Sequence, residues 1–65
     1  MNIFHFTWKQ KNRNGQLIVN KQTNKPVTFK ESLHNYTRDG ALADFRARHS
    51  NELGSIVSLT CEKVR

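Results

Sequence analysis

The sequence predicts an α+β domain in the order β-β-α-β. Three strands form one antiparallel sheet, spatial order 2-1-3, with one kinked helix or two short helices on one face. Three observations predict it: period-two alternation from Ile3 to Lys9, an Asn14-Gly15 pair between apolar runs, and helical spacing of apolar side chains between Phe29 and His49.

Sixty-five residues suffice for one core, so 1–65 is read as a single small domain near the lower size limit for folding without disulfides or metal. The composition is polar, with mean hydropathy −0.76, yet four Phe, one Trp and one Tyr provide large apolar side chains that disordered chains lack. Cys61 stands alone and cannot pair internally. The longest aliphatic runs, Leu17-Ile18-Val19 and Ile56-Val57, are too short for a signal peptide or a membrane span. The expected setting is therefore reducing and cytoplasmic, with no membrane partner.

In the first strand Phe4, Phe6 and Trp8 face one way, while Ile3, His5, Thr7, Lys9, Lys11 and Arg13 face the other. Asn14-Gly15 then signals a hairpin, because both residues tolerate the positive φ of a type I′ turn. Gln16 to Asn20 is read as the returning second strand. A two-residue loop pairs Arg13 with Gln16, and a four-residue loop pairs Lys11 with Gln16; either places Leu17 and Val19 on the aromatic face.

After a polar connector from Lys21 to Pro26, Thr28-Phe29-Lys30-Glu31 matches a capping box, and Phe29, Leu33 and Tyr36 follow at helical spacing. Asp39-Gly40 interrupts the pattern, and Asp39 is suited to cap a second segment. Ala41 to His49 resumes it with Leu42, Phe45 and His49 on one face. Gly54 is read as the helix stop, and Ser55 to Val64 as the third strand, with Val57, Leu59 and Cys61 facing the core. A single helical layer covers one side of such a sheet and leaves the other open to solvent or a partner.

Eleven Lys and Arg against five Asp and Glu give a net charge of +6, which favours polyanionic partners. The expected nucleic-acid contacts are Lys9, Lys11 and Arg13 on the strand and hairpin, Lys21 in the connector, and Arg46 and Arg48 on the helix. A two-stranded ribbon fits the major groove of B-DNA, which puts DNA ahead of RNA, and Asn12, Asn14, Gln16 and Asn20 carry amides suited to adenine. Exposed strands also carry Lys simply to discourage edge pairing.

No catalytic residues are expected. Glu31, Asp39, Asp44, Glu52 and Glu62 are scattered without a paired motif, and no nucleophile signature surrounds any Ser. His5, His34, His49 and Cys61 equal the ligand number of a structural zinc site but lack its spacing, so neither metal nor cofactor is expected.

The tail Gly54-Ser55-Ile56-Val57-Ser58-Leu59-Thr60-Cys61-Glu62-Lys63-Val64, following Lys30-Glu31-Ser32, resembles the C-terminal part of short uncharacterised proteins encoded in enterobacterial prophages. The resemblance covers the last two thirds of the chain and carries no catalytic motif; it implies a phage or prophage accessory protein. The β-β-α-β order is also similar to small phage proteins that bind host machinery such as RNA polymerase. That likeness implies the alternative role, an inhibitor or adaptor docking on a host protein through the open sheet face or the free strand edge; an apolar patch around Ile3 and Ile18 would favour it, or a homodimer.

Overall fold

A computed structural model describes Met1–Arg65. β1 (Asn2–Gln10) is the central strand, with β2 (Phe29–Asn35) on one side and β3 (Ile56–Lys63) on the other, both antiparallel to it, giving the order β2-β1-β3. A single helix, α1 (Arg38–Arg48), follows β2, and a short 3₁₀ turn, Leu53–Ser55, leads into β3. The topology matches the β-β-α-β expectation. The second strand, however, comes from a different stretch of sequence.

Phe29–Asn35 is that strand rather than a helix start. The register sets Trp8 opposite Phe29, Phe6 opposite Glu31 and Phe4 opposite Leu33, so alternate residues of β2 face the aromatic side of β1. Phe29 and Leu33 fit a period of two as well as a period of four, and pairing along the whole aromatic strand decides between them. Tyr36, assigned to the same helical face by spacing, lies beyond the strand and is 74% exposed.

The helix begins at Arg38, seven residues after the capping-box motif ends at Glu31. Thr37 is its N-cap, with Oγ1 accepting from the Gly40 amide at 3.0 Å. Asp39 sits in the first turn and Arg46 and Arg48 in the last, each with the sign the helix dipole favours. The helix closes at His49, so Gly54 is not its stop and lies instead in the 3₁₀ turn.

The core consists of Phe4, Phe6, Trp8, Leu33, Ala41 and Phe45. Phe45 stacks on Phe6 at a centroid distance of 4.8 Å and meets Trp8 edge-on at 5.0 Å, while Trp8 also stacks on Phe29 at 5.9 Å. Fully buried Ala41 lets the helix lie close on the sheet. Phe29, Leu42, Ile56 and Cys61 ring this centre, half-buried.

β3 departs from strict alternation. Cys61 pairs with Phe6 on the covered side and Thr60 with Thr7 on the open side, but Val57 pairs with Lys9, also on the open side. A bulge opposite Trp8 shifts the register, and within it Ser58 takes a left-handed φ of 55°. Of the expected inward set, only Cys61 therefore faces the core; Val57 faces the open side and Leu59 is exposed.

With six of 65 residues buried, the molecule measures 37 × 23 × 14 Å. Its radius of gyration is 12.9 Å, against about 11 Å for a compact chain of this length. The stretch between β1 and β2 contributes no buried side chain.

Candidate nucleic-acid interface

Residues 11–28 form a double turn at the end of β1. Asn12 builds the first turn. Its Oδ1 accepts from the amides of Asn14 at 2.9 Å and Gln16 at 3.1 Å, its carbonyl accepts from Gly15 at 3.1 Å, and its own amide donates to Gln16 at 2.7 Å. Gly15 has φ 78°, whereas Asn14 does not enter the left-handed region. The loop is thus the three-residue kind, Arg13–Gly15, with Gly15 as the left-handed residue, and not a two- or four-residue turn.

An odd loop pairs odd residues with odd. Lys11 bridges Leu17, and Leu17 falls on the side of Lys11 rather than of Trp8, reversing the expected facing of Leu17 and Val19. Gln16 to Asn20 forms isolated bridges instead of a full strand. Ile18 donates to Gln10 at 2.8 Å and accepts from Val27 at 3.0 Å, so this segment lies between the end of β1 and the run into β2. Asn20 organises the second turn: its Oδ1 accepts from Gln22 at 2.8 Å, and its amide donates to the Lys25 carbonyl at 2.9 Å.

Lys9 projects from the open face opposite Val57, and Lys11 continues the same alternation. Arg13 has left it, being the first residue of the turn. Lys21 lies on the second turn, joined by Lys25, and Lys30 projects from the open face opposite Thr7. Lys25 and Lys30 were not among the expected contacts, though the sequence carries their signal. Residues 1–30 contain six Lys and Arg and no Asp or Glu, and residues 31–65 contain five of each, so the whole +6 belongs to the first thirty residues. None of these six cations is in an ion pair.

Arg46 and Arg48 belong elsewhere. They sit on α1, on the covered side of the sheet, where Arg48 Nε lies 3.7 Å from Glu31 Oε1. The structure does not bring them onto the open face with Lys9 and Lys30. A residue set that spacing did not reveal lies beside Arg48. His49 packs against Trp8 at 5.3 Å and Phe45 at 4.4 Å, with Nε2 3.3 Å from Glu31 Oε1. Nδ1 lies 3.5 Å from Glu52 Oε1 but outside hydrogen-bond geometry, and Glu52 also accepts from Gln10 at 2.9 Å. Both ring nitrogens face carboxylates and both aromatic neighbours belong to the core, so this cluster closes one end of the core.

The other potential ligands diverge. His5 and His34 are on the open face, paired with Ser32 and Ile3, whereas Cys61 and His49 are on the covered side. No group of three or more His, Cys, Asp or Glu side chains is arranged to hold a metal ion. Ile3 and Ile18 also separate, Ile3 lying near the start of β1 and Ile18 bonded to its last residue, about 23 Å along the strand; they form no common apolar patch. No helix is long and apolar enough to cross a membrane.

Comparison of the chain with protein-family models, curated proteins and solved structures finds no match.

Proposed function

We propose that this protein is a small accessory binding module that engages nucleic acid, DNA in preference to RNA, through the basic open face of β1 and β2 and the double turn between them. One observation carries the reading: all the net charge lies in residues 1–30, on six cations with no carboxylate among them in sequence and no ion pair in the fold. Backbone groups of both turns are held by Asn12 and Asn20, so the cations are presented on a prebuilt support. The role suits a phage or prophage accessory protein of the kind the tail resembles, and a cytoplasmic setting agrees with the unpaired Cys61.

Fluorescence anisotropy with a mixed-sequence DNA duplex, repeated across salt concentrations, tests this reading. Affinity should fall steeply with salt. Replacing Lys9, Lys11 and Lys30 together by Gln should flatten the log–log slope by nearly three, at about 0.9 for each phosphate no longer neutralised. No binding at low salt, or an unchanged slope in the triple variant, would rule the reading out.

A further inference from the structure

Resting on that reading, we infer that the Arg13–Gln16 tip reads base edges in the major groove of duplex DNA, with Arg13, Asn14 and Gln16 as the base-facing side chains and the lysines as phosphate contacts. The tip is a three-residue turn closed by the Asn12–Gln16 hydrogen bond and the Lys11–Leu17 bridge, and all three side chains are exposed. Nothing lies within 4 Å of where a Cβ on Gly15 would stand, so the tip is unobstructed.

Hydrogen bonding within the turns sorts the amides. Asn12 Oδ1 is committed to two backbone amides and Asn20 Oδ1 to one, so neither presents a free amide pair. Asn14 and Gln16 have no side-chain hydrogen bond, and either offers the donor and acceptor that adenine N7 and N6 require. The Arg13 guanidinium makes no ion pair and matches guanine O6 and N7 in a fork.

The form of the nucleic acid follows from the aromatic residues. Unpaired bases are held chiefly by stacking on exposed rings. Phe4, Phe6, Trp8, Phe29 and Phe45 are packed together on the covered side, and exposed Tyr36 follows β2 at the end opposite the turn. On its open side the basic end carries cations and amides without an aromatic ring, His5 and His34 lying farther along β1 and β2. An A-form duplex hides base edges in a deep, narrow major groove, whereas the B-form groove, about 12 Å wide, admits a ribbon.

Selection from a randomised duplex library, followed by affinity measurement on the enriched and the mixed sequence, tests the inference. A short motif containing G should be enriched. Arg13→Lys, which keeps the charge but not the fork, should lose at least about tenfold in affinity for the enriched site, with the salt slope and the mixed-sequence affinity unchanged. Arg13→Ala should lose the same discrimination and shift the slope by no more than about one. If the protein binds duplexes with no motif enriched, or binds single-stranded DNA more tightly than duplex DNA, the tip assignment is wrong while the proposed function stands. Tighter binding to duplex RNA than to duplex DNA would overturn the tip assignment and the proposed preference for DNA together. If it binds no nucleic acid at low salt, the proposed function fails and the inference with it.

Discussion

The Asn35 side chain occupies the space that a Cβ on Gly40 would need: Asn35 Cγ would lie 2.8 Å and Nδ2 3.0 Å from it. Asn35 is fixed there. Its Oδ1 accepts from the Tyr36 amide at 2.8 Å and the Thr37 amide at 3.3 Å, and its Nδ2 donates to Asp44 Oδ2 at 2.9 Å. One side chain thus joins the end of β2, the cap of α1 and the helix body. Gly40→Ala should therefore destabilise the protein by about 1–3 kcal/mol in urea denaturation, despite the gain of up to about 1 kcal/mol that Ala brings to an open helical position. Combining it with Asn35→Ala should cost less than the two single changes added together.

Ser58 is the second backbone constraint. Its φ of 55° inside the β3 bulge is unfavourable for a residue with a Cβ, and glycine removes that strain. Ser58→Gly should raise stability by up to about 1 kcal/mol, and Ser58→Val, β-branched at the same φ, should lower it by more than that. Paired thermal melts would show the two variants on opposite sides of the parent.

His49 closes the core at the Trp8 end, in contact with Trp8 and Phe45 and beside Glu31 and Glu52. His49→Ala should cost about 2 kcal/mol through weakened packing and an exposed indole. Because Trp8 is the only Trp, its fluorescence reports the change directly, and the emission of the folded variant should move to the red.

The helix arginines serve as an internal control for the interface. Arg46→Gln with Arg48→Gln should leave the salt slope of duplex binding unchanged within about one, whereas the lysine triple variant loses nearly three. Equal slopes in the two variants would move the contact surface onto α1.

The aromatic face of β1 and the Leu42, Phe45 and His49 face of α1 are legible in the sequence because each depends on local alternation or spacing that packing then reinforces. The strand order follows from connectivity, whereas buried Ala41 lies outside the expected face. The strand Phe29–Asn35 is not legible. Its inward residues are Phe29, Glu31 and Leu33, and a carboxylate at the centre of an inward row conceals the period of two. Glu31 occupies that position because His49 and Arg48, far away in sequence, meet it there. The facing of Leu17 and of Val57 depended on a single residue of register in each case, one set by Gly15 and the other by Ser58. Of the six cations expected to contact nucleic acid, Lys9, Lys11, Arg13 and Lys21 lie in the acid-free half of the chain, while Arg46 and Arg48, of the same charge, belong to the balanced half.

The absence of any buried side chain between β1 and β2 has an evolutionary consequence. Substitutions from Lys11 to Thr28 can alter loop length, charge or amide placement without disturbing Phe4, Phe6, Trp8, Leu33, Ala41 or Phe45. On the proposed reading, the molecule can therefore diversify what it recognises faster than it changes how it folds. Descendants would share a scaffold while differing in target, and a mutational scan of the whole chain should find this stretch permissive for folding and selective only when binding is assayed.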